Sequence, residues 1–477
     1  MSTTTDLKYE VIDHFKVKEI INTRLLFKLP LSYADPSNET KISVVVNVTQ
    51  KFDETIHKDT ELLNTKLVLP ETPKLISYIQ GGPGFPCGVP LTNSGYTKVL
   101  IDKGYQIVYL DQRGTGLSTA LERRTFEHLV PKKDGEDEAT HVQRQLDFIL
   151  NFRADSIVED YERVRRSLIG DEKWTLLGQS YGGFTSFTYV SKYPNSLKEV
   201  LVTGGVPPIN FNPDDVYHAT YERTKERNIH YFNKYPQDKQ RMQNILGYLQ
   251  NNDVKLPNGG TLSVERFQQL GLSFGGTGGT DNVHQLVVKF DYDLKLFGFP
   301  TFQILNTIQN EYSFDTNIIY ALFQESIYCD ANNVNLKSSD WSADRLRYLP
   351  ANDIFVYNSN KEVTYFTGEM VYKSMFEDYV ELQPFKKLGY ALHANKKWSK
   401  LYDTKVLHET KVPIVAATYV YDQYVDFDLT RKVKENVFKG NGNLKQFITS
   451  EFFHNGVRAG AEKVLGSLFD LLDCEID

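Results

Sequence analysis

The residues most suggestive of chemistry are Gly178-Gln179-Ser180-Tyr181-Gly182. They follow the apolar run Trp174-Thr-Leu-Leu177 and precede a helical pattern from Gly183 to Tyr193. A serine held on a tight strand-to-helix turn, flanked by residues without a Cβ, is the local geometry of a nucleophile. The helix that follows aims backbone N–H groups at a site where negative charge develops.

A serine hydroxyl needs a base, and the base needs an orienting carboxylate. On such an elbow the acid and then the histidine come later in the chain. Of the ten histidines, His454 lies after the last strand pattern, Lys445-Gln-Phe-Ile-Thr449, and before the last helix pattern, Ala459 to Leu472. His408 precedes the returning strand and His393 falls in the intervening segment. The acid should follow the buried run Ile414–Tyr419, where Asp422, Asp426 and Asp428 compete. Asp422 stands at the strand end and is favoured, with Asp426 second. Asp428 reads as a charge at the start of the next helix. Two N–H donors for a tetrahedral oxyanion are expected from Tyr181 and from Gly82 or Gly81 in the turn Gln80-Gly-Gly-Pro-Gly84.

These groups require a scaffold. Short apolar runs at 75–79, 105–110, 174–177, 199–203 and 412–420 stop at polar or Gly-rich turns, which predicts a mostly parallel sheet whose strand ends carry the site. Ile42–Val48 is a further strand. A long helical pattern runs from about Ala139 to Leu168, with apolar residues from Leu146 onward at helical spacing and room for a break or kink near Arg153-Ala-Asp155. Strand signals vanish between 211 and 402. The expected division is therefore an α/β core of 1–210 and 403–477, interrupted by a mainly helical cap of 211–402. Within the cap, Gly275-Gly-Thr-Gly-Gly279 lacks the Lys-Ser/Thr ending of a phosphate cradle and reads as a flexible lid loop. Asp111 and Arg113 read as scaffold for the loops around the site.

The 477 residues carry 54 Lys and Arg against 61 Asp and Glu, a net charge of −7. That balance argues against a nucleic-acid partner bound through its phosphates. No apolar run approaches the ~20 residues that span a bilayer, and the first residues show no secretory pattern. Three cysteines, Cys87, Cys329 and Cys474, form no Cys-x-x-Cys pair. They fit a reducing, cytoplasmic setting and no zinc site. No cofactor or metal is expected.

At these residues the chain resembles the prolyl aminopeptidases (proline iminopeptidases) of the α/β-hydrolase superfamily, in their longer branch with an enlarged lid. The resemblance is carried by Gly81-Gly-Pro-Gly84, Asp111-Gln-Arg-Gly-Thr-Gly-Leu-Ser118, Phe152-Arg-Ala-Asp-Ser-Ile-Val158 and Gly178-Gln-Ser-Tyr-Gly-Gly-Phe184. It continues through Glu325-Ser-Ile-Tyr328, Trp341-Ser-Ala343, Phe366-Thr-Gly-Glu-Met370, Asp422-Gln-Tyr-Val-Asp-Phe427 and His454-Asn-Gly-Val-Arg458. Shorter members have His where Gln80 stands. The resemblance implies a serine exopeptidase acting on small peptides with an N-terminal proline. Ser180 would be the nucleophile, His454 the base and Asp422 its partner. It further implies that lid carboxylates hold the substrate amine, which places Glu325 and Glu369 in that role.

Overall fold

The computed structural model describes residues 8–334, 336 and 338–474. Nine strands form one sheet: β1 (Tyr9–Val17), β2 (Ile20–Pro30), β3 (Lys41–Lys51), β4 (Leu75–Ile79), β5 (Gln106–Leu110), β6 (Trp174–Gln179), β7 (Leu197–Thr203), β8 (Ile414–Tyr419) and β9 (Leu444–Thr449). Their spatial order is β1-β2-β3-β5-β4-β6-β7-β8-β9. The first three strands run antiparallel, β3 pairs antiparallel with β5, and all later pairs are parallel. Every residue of β4, β6 and β8 is buried. Helices on both faces of a parallel sheet impose this, and it is why those strands read as unbroken apolar runs. The meander β1–β2 was not expected from the sequence. Its strands mix charged and apolar residues because β1 is an edge, half-exposed along its length.

The expected long helix is real and broken where anticipated. Glu138–Ile149 passes through a 3-10 turn, Leu150–Phe152, into Ala154–Ile169. Arg153 at the break is extended (φ −87°, ψ 173°). Its guanidinium donates to Ser399 Oγ at 2.9 Å and to the carbonyls of Ser326 and Cys329, and it lies 4.7 Å from the Trp398 ring. The break thus turns one cation out of the helix to anchor the inserted segment.

That segment joins β7 to β8 and is built of helices. Its first, Pro213–Lys234, begins at a capping box. Asn212 accepts from the Asp215 N–H, Asp215 accepts from the Asn212 N–H, and Pro213 supplies a preset φ. Part of the segment has its own apolar core, around Tyr231, Phe267, Phe274, Phe290 and Phe366. The part holding Ile318–Phe323 and Phe376 instead merges with the core of the sheet. The high aromatic content therefore goes largely into packing. No helix among the described residues is long and apolar enough to cross a membrane.

Asp111 and Arg113 behave as scaffold. Asp111 accepts from the Cys87 N–H at 2.8 Å and the Leu117 N–H at 2.9 Å. Arg113 and Asp160 form a bidentate pair, both contacts 2.7 Å, with no exposed side-chain surface. The remaining guanidinium hydrogens meet the carbonyls of Pro30, Leu31 and Asn151, and Tyr33 donates to Asp160. Removing one partner of a buried pair strands the other charge. Asp160→Asn should cost about 3–5 kcal/mol, read as a lower denaturant midpoint in chemical unfolding; a shift within the error of the wild-type midpoint would show the pair contributes nothing.

Candidate active site

Ser180 stands between β6 and the helix Tyr181–Lys192 with φ 57° and ψ −126°, a conformation that side-chain-bearing residues rarely adopt. The turn is possible because its flanks lack side chains: a Cβ on Gly182 would lie 1.9 Å from the Ile79 carbonyl oxygen. The strain is held by hydrogen bonds from the Ser180 N–H to the Thr203 carbonyl (3.0 Å) and from the Gly183 N–H to the Ser180 carbonyl (2.7 Å). The result lifts the serine side chain clear of the sheet edge.

Asp422 follows β8 and is 1% exposed. Its Oδ1 accepts from the backbone N–H groups of Tyr424 (2.8 Å) and Val425 (3.1 Å). Oδ2 is thereby left facing His454, whose Nδ1 lies 2.7 Å away. His454 is buried, donates its backbone N–H to the Gly275 carbonyl (3.0 Å), and meets the Tyr424 ring edge-on at 4.6 Å. Burial works against a charge on this imidazole, but the Asp422 carboxylate, its hydrogen bond and the nearby Glu369 outweigh it and raise the pKa. Asp426 is engaged elsewhere: it caps the helix Phe427–Val437 through the N–H groups of Asp428 and Leu429. Asp428 is the expected first-turn charge. His408 binds the Val437 carbonyl and His393 binds Ser339 and Glu325, so neither reaches the serine's surroundings.

The serine and the His454–Asp422 pair meet across two consecutive glycines at the end of β7. A Cβ on Gly205 would lie 2.4 Å from the Ser180 carbonyl oxygen. One on Gly204 would lie 3.2 Å from His454 Nδ1 and 3.4 Å from Asp422 Oδ2. In this geometry no hydrogen bond joins Ser180 Oγ to His454; such a contact forms as substrate is engaged.

On the other side of Ser180 runs the turn after β4. A Cβ on Gly81 would sit 2.8 Å from Ser180 Cβ, and Gly82 adopts φ 121°. Tyr181 is the first residue of its helix, so its N–H has no acceptor within that helix. Gln80 is held locally: its Oε1 accepts from Tyr78 Oη at 2.9 Å, and its carbonyl accepts from Gln112 Nε2 at 2.9 Å. The side chain at this position is a brace, and the turn offers backbone groups.

The inserted helices close the remaining side. Glu369 accepts from Tyr320 Oη at 2.6 Å. Burial is the main force raising its pKa to about 7. The charges of His454 and the bond from Tyr320 pull it down, Asp422 pushes it up, and the Gln324 amide adds a smaller downward pull. This mutual influence places Glu369 in the electrostatic reach of His454 and Asp422. Glu325 differs. It has no exposed surface, and its oxygens accept from the N–H groups of Ser342 (2.8 Å) and Ala343 (3.1 Å) and face His393 Nδ1 at 3.0 Å. It holds the start of the helix Ser342–Arg347, and His393 stacks on Trp341 at 3.6 Å. In this structure both of its oxygens are bonded inside the insertion.

The glycine-rich stretch 275–279 corrects the flexible-loop expectation. The Gly275 carbonyl holds His454, Thr277 donates through its N–H to Asn455 Oδ1 at 3.1 Å, and Gln423 Nε2 donates to the carbonyls of Gly271 (2.8 Å) and Leu272 (3.1 Å). The segment is a strap docked on the loops that carry Asp422 and His454; its glycines let the backbone come close. Tyr320 and Gln324 were not singled out from sequence, and the strap was read there only as a loose loop. The one available signal was the i, i+4 spacing of Tyr320 and Gln324 beside Glu325.

Comparison with known proteins agrees with this architecture. The alpha/beta hydrolase fold family matches residues 76–247. A proline iminopeptidase of Aeromonas sobria is 37% identical over 94% of this chain and 96% of its own. A proline iminopeptidase of Aspergillus aculeatus is 37% identical over 86% of this chain and 87% of its own. A crystal structure of proline iminopeptidase from Mycobacterium smegmatis is 12% identical with a TM-score of 0.39, covering 94% of this chain and 98% of that one; a likeness this distant carries no argument. An elbow serine before a buried aspartate–histidine pair, under a helical insertion and with near-full-length identity to such enzymes, means that the chain belongs to the proline iminopeptidase family of α/β hydrolases.

Proposed function

We propose that this protein is a serine exopeptidase that releases proline from the N-terminus of small peptides. The division of labour is a catalytic core of 1–210 and 403–477 beneath a cap of 211–402. Ser180 Oγ attacks the prolyl carbonyl carbon while His454 Nε2 takes its proton. Asp422 holds Nδ1–H and stabilises the imidazolium. The carbonyl oxygen becomes an oxyanion held by the N–H groups of Gly82 and Tyr181. His454 then protonates the departing amine, leaving a prolyl-enzyme ester. Water, activated by the same imidazole, hydrolyses it and restores Ser180. No cofactor enters this scheme.

The observation that carries the substrate reading is a carboxylate, Glu369, on the cap wall within reach of the His454 charge. A carboxylate there disfavours a neutral acyl group and matches a cationic N-terminus held one residue from the scissile carbonyl. Glu369 takes the amine directly. Glu325 acts behind it, fixing the helix start that shapes the wall.

The test compares prolyl 2-naphthylamide with its N-acetylated form. The free amine should be strongly preferred; equal turnover of both would instead favour an esterase or amidase of small acyl groups. Glu369→Gln should raise KM for the free amine about ten- to a hundredfold, the worth of a hydrogen bond to a charged group. The sign with pH follows from the raised pKa. Glu369 is ionised above about pH 7 and neutral below it, so wild-type KM should climb as pH falls through that region. In Glu369→Gln that rise should vanish, while the loss of kcat on protonating His454 remains. A KM rise that persists unchanged in the variant would remove Glu369 from amine binding.

A further inference from the structure

Gln324 presents an anomaly. It is 1% exposed, yet neither Nε2 nor Oε1 has a hydrogen-bond partner among the described residues. Buried amides in native proteins are almost always paired, and one left unpaired on both atoms asks for an explanation. Its position supplies one. The Gln324 N–H bonds to the Tyr320 carbonyl at 3.0 Å, so the two residues sit one helical turn apart on the same face. Tyr320 Oη on that face binds Glu369. The Gln324 amide lies close enough to Glu369 to pull its pKa down as a donor would, although Nε2 does not reach full hydrogen-bond geometry, and Oε1 has no donor facing it among the described residues. Tyr217 Oη, likewise buried and unpartnered, feels the charge of the same carboxylate and stacks edge-on to Tyr328 at 5.9 Å. A polar cluster with an unpaired acceptor therefore adjoins the carboxylate assigned to the amine.

We infer that Gln324 is an amine-positioning residue, whose Oε1 accepts one N–H of the substrate's secondary ammonium while Glu369 accepts the other. The inference rests on the exopeptidase reading given above. A protonated N-terminal proline carries two N–H donors, and two acceptors of different type fix both its place and its rotation about the ring. Glu369 supplies attraction. Gln324 supplies direction, since a neutral amide adds no charge that would compete with Asp422 for His454. With the amine bound, Nε2 turns to the Glu369 carboxylate and keeps Oε1 facing the cation.

Gln324→Met keeps length and bulk and removes the acceptor. For prolyl 2-naphthylamide, KM should rise about ten- to a hundredfold, the range for a hydrogen bond to a charged group, with the loss falling on KM rather than kcat. N-methylprolyl 2-naphthylamide has a single N–H, so its binding, taken as KM or as an inhibition constant, should change little between wild type and variant. The same penalty on both compounds, or none on the prolyl compound, would overturn the assignment. If the N-methyl compound does not bind the wild type, the prolyl KM of the variant decides alone. A melting curve identifies a variant that fails to fold, and Gln324→Leu, which also removes the acceptor without adding charge, then replaces it: it should show the same rise in KM, and an unchanged KM would overturn the assignment. Failure of the parent reading looks different, because wild type itself would then ignore the free amine of the prolyl compound.

Discussion

Ser180→Ala should abolish release of 2-naphthylamine from prolyl 2-naphthylamide, lowering kcat by at least about 10⁴-fold. Alanine tolerates the elbow no worse than serine does, since both carry an unbranched Cβ at φ 57°, so folding should be unaffected and the melting curve should overlay the wild type. What disappears is the atom that forms the acyl-enzyme. Residual hydrolysis would reflect water attacking a carbonyl still polarised by the Gly82 and Tyr181 N–H groups. A serine-directed fluorophosphonate gives an independent readout: it should label the wild type stoichiometrically and leave the variant unlabelled. Retention of more than a few per cent of activity, with labelling at another serine, would remove Ser180 from the mechanism.

Asp422→Asn should cost about 10⁴-fold in kcat with little change in KM. Asp422 Oδ1 accepts two backbone N–H groups, and Oδ2 accepts from His454 Nδ1. An asparagine satisfies the first arrangement with its carbonyl oxygen and then points an NH₂ at Nδ1. The imidazole must answer with its other tautomer, which carries the proton on Nε2 and cannot accept one from Ser180. The pH profile carries a second signature. Asp422 is the principal influence opposing burial in raising the His454 pKa. Without its charge the residual activity should keep its unprotonated base to lower pH, and the acidic limb of kcat should move down. A limb that stays in place would show that Asp422 does not face the catalytic imidazole. Asp426→Asn serves as contrast, because its carboxylate caps a helix and should leave that limb unmoved.

Much of the core was legible from local pattern. The parallel strands are buried on both faces, so their composition alone marks them, and each ends at the sheet edge where chemistry is placed. The elbow is legible because its geometry tolerates so few residue types. The histidine and aspartate follow from chain order, since a parallel sheet with a fixed connection sense brings the ends of β8 and β9 beside that of β6 through the intervening β7. Less legible was the antiparallel β1–β2 pair, whose half-exposed edge mixes charges into the pattern.

The inserted segment was the opposite case. Glu325 and Glu369 are both glutamates in aromatic surroundings, and nothing local separates them. Tertiary packing does: a helix start and a histidine close around Glu325, while Glu369 keeps the Tyr320 hydroxyl, the nearby Gln324 amide and the influence of His454. The glycines of 275–279 likewise suggested looseness, whereas their use is close approach of a strap to the His454 loop. The sequence by itself determined which side chains are brought together at the strand ends, because a strained turn and an ordered sheet admit few side chains and fix their order along the chain. Only the folded structure decided which buried polar groups are satisfied and which still face the site, because that depends on partners contributed by segments as far as 246 positions away.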